Sequence, residues 1–476
     1  MREFIKATSE EIEARCKAHP LVAVQPRPLI ESSEEAGKRL FNFQNAAYFA
    51  SIFHISREVA MSESAKNYHT IEACRVGASR NLISVLNLGH LALTGVFPKS
   101  PETAITRGPL ELVWCPESGL LQLAHSFDAH EMYGENYGYR SGLNQSMVRH
   151  LARKIHNLEH MADLKPGDTV LDIGSNDATS LKAYTVSGLT RVGMDPAGAK
   201  FKQYYPHTIA LVSDFFSAHG FWTIARKKAK VATSIAMFYD LEDPVKFARE
   251  VADVLADDGI WHLEQSYMPS MLRLCSYDTI CHEHLEYYSL AVLRRILDAA
   301  DMKIVDVQMN SVNGGSFAVT STHRKNNSIR SNNAIVGWLL EQEERMGLGT
   351  PRPYRDFEER VYRHRADLTR LLRTLVADGQ KVLGYGASTK GNVLLQFCGF
   401  TEKDIPAIAE VNEDKFGAFT PGTLIPIVSE AEARAMQPDY FLVLPWHFKD
   451  GIVAREQEFL AKGGKMIFPF PEIEIV

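Results

Sequence analysis

The chain has 476 residues, 45% apolar and 23% charged, with a formal net charge of −6. That length suggests two to four domains, and the composition is that of an ordinary globular protein. The weak negative charge gives no reason to expect nucleic acid or an anionic membrane as partner, and no apolar run approaches the roughly 18 residues a bilayer span needs. The start, Met1-Arg2-Glu3-Phe4, lacks the apolar core of a signal peptide. Cysteines at 16, 74, 115, 275, 281 and 398 are scattered, predict no disulfide framework and fit a reducing cytoplasm. The expected assembly is a monomer or homodimer.

Residues 1–65 carry mixed helical periodicity in Glu10–Cys16 and Glu34–Phe53, broken by Pro26-Arg27-Pro28, and read as a helical extension used for packing or oligomer contact. Residues 66–145 read as a small mixed or β domain, with strands such as Ile83–Leu88 and Leu110–Cys115. Cys74-Arg-Val-Gly77 and Cys115-Pro-Glu-Ser118 each hold one half of a Cys-x-x-Cys knuckle. A structural zinc needs four N/S ligands; two thiols cannot supply them, and His125 and His130 stand at the wrong spacing. The expectation is a metal-free remnant. Tyr133–Ser141, with Tyr137, Tyr139 and Ser141, reads either as a polar small-molecule pocket or as a loop of packed aromatics.

Residues 146–325 read as a doubly wound α/β domain. Met147, Leu151, Ile155 and Leu158 repeat at helical spacing. Val170 and Leu171 end a buried strand, followed by Asp172-Ile-Gly174-Ser175-Asn176-Asp177, a helix start, and a second strand ending at Asp195. Gly174 lets the backbone turn sharply under a ligand. A dinucleotide site wants Gly-x-Gly-x-x-Gly around a pyrophosphate. Here acids flank a single glycine, which suits an ammonium and a sulfonium and favours S-adenosylmethionine (SAM) over NAD. Asp195 is placed to accept ribose hydroxyls, and Asp214 follows the third strand. Val231–Met237 reads as the fourth strand, Asp257-Asp258-Gly259 as the close of the next helix, and Ile260–Glu264 as the fifth strand.

After that strand's carboxyl end come Cys281-His282-Glu283-His284 and Tyr287-Tyr288-Ser289. His-x-His could ligate a metal, but no third and fourth ligand is nearby. His284 as a general base, oriented or tuned by Glu283, is the preferred reading; surface histidines at a helix start are the plain alternative. Asn313-Gly314-Gly315 reads as a hairpin turn whose amides could touch a ligand. Residues 326–476 begin with polar helices and continue as a second Rossmann-like unit. Gly384-Tyr-Gly386-Ala-Ser388-Thr-Lys390 suits a phosphate, and Glu410 ends the next strand.

Three blocks, Tyr137–Ser141, Thr279–Ser289, and Gly384–Gly391 with Pro421–Pro426, resemble the nucleotide-deoxysugar C-methyltransferases, over about residues 66–476. The resemblance implies a zinc-binding domain, a class I SAM-methyltransferase domain and a C-terminal Rossmann-like domain that helps hold a nucleotide sugar. It implies His284 as the base that removes the proton beside a sugar ketone. Tyr137 or Tyr139, with Glu283, would orient and stabilise. The chain departs from that pattern at Gly77 and Ser118, which leave no zinc set, at Cys281 in place of tyrosine, and at Tyr239 in place of histidine. The substrate is then a nucleotide sugar or a related small-molecule ketone. Oxygen or nitrogen methylation on the same scaffold, and a SAM-binding protein without chemistry, are the competing readings.

Overall fold

The computed structural model describes residues 67–133 and 139–476; the helical reading of 1–65 and the candidate Tyr137 lie outside the described residues. In the small domain, β1 (Tyr68–Thr70), β2 (Ile83–Ala92), β3 (Arg107–Trp114), β4 (Leu121–Leu123) and β5 (His125–Phe127) are short and antiparallel; β1 pairs with β5, and β2, β3 and β4 form a meander.

The central domain contributes β6 (Thr169–Ile173), β7 (Thr190–Met194), β8 (Ile209–Val212), β9 (Ala229–Ile235) and β10 (Leu255–Ser266). The chain then leaves this sheet, and β11 (Glu286–Tyr287) pairs with β4 of the small domain. It returns as β12 (Met302–Asn310) and β13 (Ser316–His323). The sheet order is β12-β13-β10-β9-β6-β7-β8, parallel except for β13. Strand order reverses at β6, the point where open α/β sheets bind ligands beyond their carboxyl ends. Helix Gln145–Met161 buries Leu151, Ile155 and Leu158 against this sheet. Asp257-Asp258-Gly259 does not close a helix. The helix ends at Val254, and these residues sit in β10, where pairing with β9 slips between Leu255 and Ile260. A bulge absorbs the polar residues that the sequence pattern reads as a turn.

The C-terminal unit has β14 (Val382–Tyr385), β15 (Ile408–Glu410), β16 (Ile427–Ser429), β17 (Tyr440–Val443), β18 (Lys465–Phe468) and β19 (Glu474–Ile475), in the order β16-β15-β14-β17-β18-β19, parallel except for β19. Helix Arg352–Ala377 presents Tyr354, Phe357, Val361, Leu368 and Leu372 as one buried stripe. A single apolar core joins the β2–β4 sheet, residues of 268–285, this helix and the C-terminal sheet. No described helix is long and apolar enough to cross a membrane.

Helix Asn333–Arg345 packs on the central domain rather than on the C-terminal sheet, with Leu339 in the central core. Its buried Glu343 accepts the Leu290 and Ala291 amides at 2.6 and 2.9 Å and the Tyr267 hydroxyl at 2.8 Å. The carboxylate thereby caps the start of helix Leu290–Ala299 from outside. Glu343→Ala leaves these donors buried and unpaired; urea unfolding is expected to show a loss of about 1–3 kcal/mol.

Candidate active site

The glycine turn after β6 is built by its neighbours. Gly174 has φ +72°, and an added Cβ would lie 3.0 Å from Met237 Cγ, so a side chain at 174 would be strained and crowded. Asp195 ends β7; its carboxylate accepts the Asn176 and Ala197 amides at 2.8 and 2.7 Å. Tyr205 donates to the Asn176 carbonyl at 2.8 Å and lies 2.7 Å from Ser175 Oγ. Asp172 is buried and accepts Thr233 Oγ1 at 2.5 Å; burial, and then the Asp195 charge, push its carboxyl up to about 7. Asp214 follows β8 on the same edge, exposed, capping the Phe215 amide.

Tyr139 and Ser141 lie against this turn. The Asn176 side chain donates to the Tyr139 carbonyl at 3.1 Å and accepts the Ser141 amide at 3.0 Å; Asp177 accepts the Gly142 amide at 3.0 Å. Tyr139 and Ser141 therefore act here through their backbone, strapping the loop that carries Asn176 and Asp177. These residues fit SAM. They offer a carboxylate for ribose hydroxyls, a turn without a side chain for close approach, and a buried acid for positive charge.

His284 lies on the same edge. Met237 Cγ stands 3.0 Å from where a Cβ on Gly174 would lie, and two residues on, the Tyr239 ring sits 4.2 Å from the His284 ring. His284 Nδ1 is 3.0 Å from the Thr279 carbonyl. A carbonyl only accepts, so Nδ1 carries the hydrogen and Nε2 is left as a base. Burial, then the Lys390 charge, push this imidazole down to about 4. It is neutral at pH 7. Glu283 is wedged where Gly95 has no Cβ, since an added one would lie 2.6 Å from Glu283 Oε1; Thr94 Oγ1 is 3.5 Å from Oε2. Burial raises the Glu283 carboxyl and, more strongly, the Cys281 thiol, which it faces. Tyr133 donates to the Glu283 carbonyl at 2.9 Å.

Other candidates go elsewhere. His282 is fully buried in the small domain, edge-on to Phe127 with ring centroids 4.6 Å apart. Tyr288 is core, against Phe238. Asn313 lies in the β12–β13 turn, where an added Cβ on Gly314 would lie 3.2 Å from Trp446. In the second unit Gly386 has φ +81°, Ser388 caps its helix through the Gly391 amide at 3.0 Å, and Glu410 accepts the Ala387 amide at 2.8 Å.

The structure adds residues that sequence reading passed over. Trp446 Nε1 donates to Asp278 Oδ2 at 2.8 Å. His447 is pushed down to about 3 by burial and then Lys390. Both follow β17's carboxyl end, a position that could have marked them. Glu264, near the end of β10, accepts His150 and Lys154 at 2.6 Å and Asn310 at 2.7 Å. Burial opposes its ionisation, but the His150 bond and the Lys154 charge hold it down at about 2.

Comparison with known proteins decides the family. Residues 144–307 match a methyltransferase-domain profile, 311–471 a C-methyltransferase C-terminal domain, and 74–133 a zinc-binding domain. The C-methyltransferase NovU of Streptomyces niveus is 31% identical over 411 residues, covering 85% of this chain and 97% of NovU. The chain belongs to this C-methyltransferase family. Among solved structures, the magnesium protoporphyrin IX methyltransferase of Synechocystis PCC 6803 with bound SAM is 13% identical over 38% of this chain and 79% of its own, with a TM-score of 0.28. A SAM-dependent methyltransferase from Clostridium acetobutylicum ATCC 824 is 10% identical over 37% and 92%, with a TM-score of 0.29.

The methyltransferase-domain profile and the kinship with NovU, together with the sheet order, give this C-methyltransferase the class I SAM-methyltransferase fold and SAM as its methyl donor. The zinc its family profile implies does not fit the residues present. Cys74 Sγ is 3.1 Å from Ser118 Oγ, Gly77 has no side chain, and burial raises the Cys74 thiol. Among the described residues no group of three or more His, Cys, Asp or Glu is placed to hold a metal.

If the Asp172 carboxyl faces bound SAM, its titration should be felt in the affinity. Its raised pKa means the folded protein gains stability from the protonated form below pH 3.8 and loses it as pH rises through about 7. A cation bound nearby favours the carboxylate. SAM affinity is expected to rise between pH 6 and 8 with proton release, measured by calorimetry in buffers of different ionisation heat. Asp172→Asn should abolish the release and weaken binding about tenfold.

Proposed function

We propose that the protein transfers a methyl group to the carbon beside the ketone of a nucleotide-linked sugar. SAM supplies an electrophilic methyl. The single observation that carries the reading is His284. Its Nδ1–H is held by the Thr279 carbonyl, its ring lies against Tyr239, and Met237–Tyr239 ties it to the cofactor turn. Nε2 takes the proton next to the carbonyl, and the electron pair left on carbon accepts the methyl. Such a step needs a neutral base fixed near the acidic C–H, and a water-poor setting in which the carbanion survives. Glu283, set between Gly95 and Cys281, fixes the chain at the residue before the base.

The nucleotide reading rests on the C-terminal unit. Gly386, Ser388 and Glu410 lie at the carboxyl ends of a second set of parallel strands, in a strand–turn–helix without an acid in the glycine turn itself. Glu410 stands at the end of its second strand, as Asp195 does in the first unit, and suits a ribose. The relative NovU is named only as a C-methyltransferase, so the sugar is inferred from the second unit.

The test is incubation with SAM and a dTDP-4-keto sugar, with mass spectrometry and carbon NMR of the product. A new C–CH3 supports the reading; a methyl on oxygen or nitrogen overturns it. His284→Ala should lower kcat at least about 100-fold, the range of a lost general base, while SAM affinity holds. Because His284 is neutral above about pH 4, kcat/KM for the sugar at saturating SAM should be flat from pH 5 to 8 and fall below pH 4.

A further inference from the structure

We propose that Lys390 is a catalytic residue: its ammonium, supplied by the C-terminal domain, takes the negative charge that forms on the substrate's carbonyl oxygen when His284 removes the adjacent proton. This rests on the carbanion reading above, but gives a role to a residue that the sequence pattern assigns to phosphate binding.

Three pieces of chain meet around Lys390. Helix Thr389–Cys398 places it in its first turn, with Ser388 as cap, and packs on the Tyr277–Thr279 turn. That turn carries Asp278 and the Thr279 carbonyl that holds His284. The loop after β17 brings Trp446, which binds Asp278 Oδ2 at 2.8 Å, and His447. Among the described residues, Asp278 Oδ1 and His447 Nδ1 are buried without a hydrogen-bond partner. Buried polar atoms are rarely left so, and two of them around one lysine point to a polar ligand between the central and C-terminal domains.

Electrostatics fit the same placement. Both imidazoles, His284 and His447, are pushed down by burial and then by the Lys390 charge. Burial lowers the Lys390 ammonium, while Asp278 and Cys281 favour its charge. The titratable groups facing His284 and Lys390 are thus Asp278 and Cys281 from the stretch between β10 and β11, Tyr239 from the turn after β9, and His447. Lysine is the cation among them. Both rings are half-buried, and both face the same lysine.

The step balances without a further reactant. The C–H bond breaks, its proton goes to His284 Nε2, and its electron pair moves through carbon to the carbonyl oxygen beside Lys390. The pair then returns to form the new C–CH3 bond, and the electrons of the broken S–CH3 bond go to sulfur. A fixed ammonium in a low-dielectric site stabilises the oxyanion far more than water does.

Two measurements test this. The first needs no substrate: histidine-labelled protein is titrated by NMR, with His284 assigned through His284→Gln. In Lys390→Met the His284 pKa should rise by at least one unit; an unmoved value overturns the placement of Lys390 beside the base. The second uses dTDP-4-keto-6-deoxyglucose with SAM in deuterated water. Lys390→Met should lower kcat and substrate deuteration about 100- to 1000-fold, with KM within about threefold and SAM affinity unchanged, and Lys390→Arg should recover part of the rate. Unchanged kcat, or a loss confined to KM, returns Lys390 to phosphate binding and overturns the proposal. If the native enzyme neither deuterates nor methylates this sugar, the ketosugar reading fails, while the titration still decides the position of Lys390.

Discussion

The hydrogen bond from His284 Nδ1 to the Thr279 carbonyl is the constraint on which the site depends. It selects the tautomer, aims Nε2, and ties the proposed base to a turn rather than to a flexible side-chain partner. The turn is itself held from the C-terminal domain, since Asp278 at its centre is bound by Trp446. Orientation of the base is therefore an inter-domain property. The imidazole proposed as base belongs to the central domain by sequence, yet the C-terminal domain holds the turn that aims it.

The two nucleotide-type units share a layout and differ in charge. The first carries Asp172, Asp177 and Asp195 around its glycine turn; the second carries Ser388 and Lys390 with Glu410 set back at a strand end. Acids around one turn and a cation near the other separate the sites by electrostatics before any shape is considered. Near the end of β10, the buried Glu264, His150, Lys154 and Asn310 join the helix Gln145–Met161 to the β12–β13 hairpin. Such an ion pair adds little net stability over an apolar pair, and its geometry fixes how these elements meet.

Much of the cofactor half was legible in sequence, because its determinants are local. Gly174 is needed for its positive φ and the nearness of Met237, and Asp195 ends a strand that the apolar pattern delimits. The position of His284 followed from a strand end dense in polar groups. Its neighbour His282 was not separable, since two residues decide which side of the backbone each ring takes, and His282 turned into the small-domain core against Phe127. Tyr139 and Ser141 bind through carbonyl and amide, which side-chain identity does not reveal. Trp446 and His447 were missed for another reason: they matter only once residues more than 150 positions apart dock. Asp257–Gly259 misled because a bulged strand tolerates residues that elsewhere end a helix.

The pairing of β11 with β4 has a consequence for how the molecule is made and how it can evolve. The small sheet lacks its last strand until the ribosome has delivered residue 287, long after β4 has emerged. Until then its edge is open to wrong partners. A gene fragment ending after residue 145 would encode a sheet missing that strand. A domain exchange that cuts inside the span from β2 to β11 would separate the small sheet from the strand that completes it.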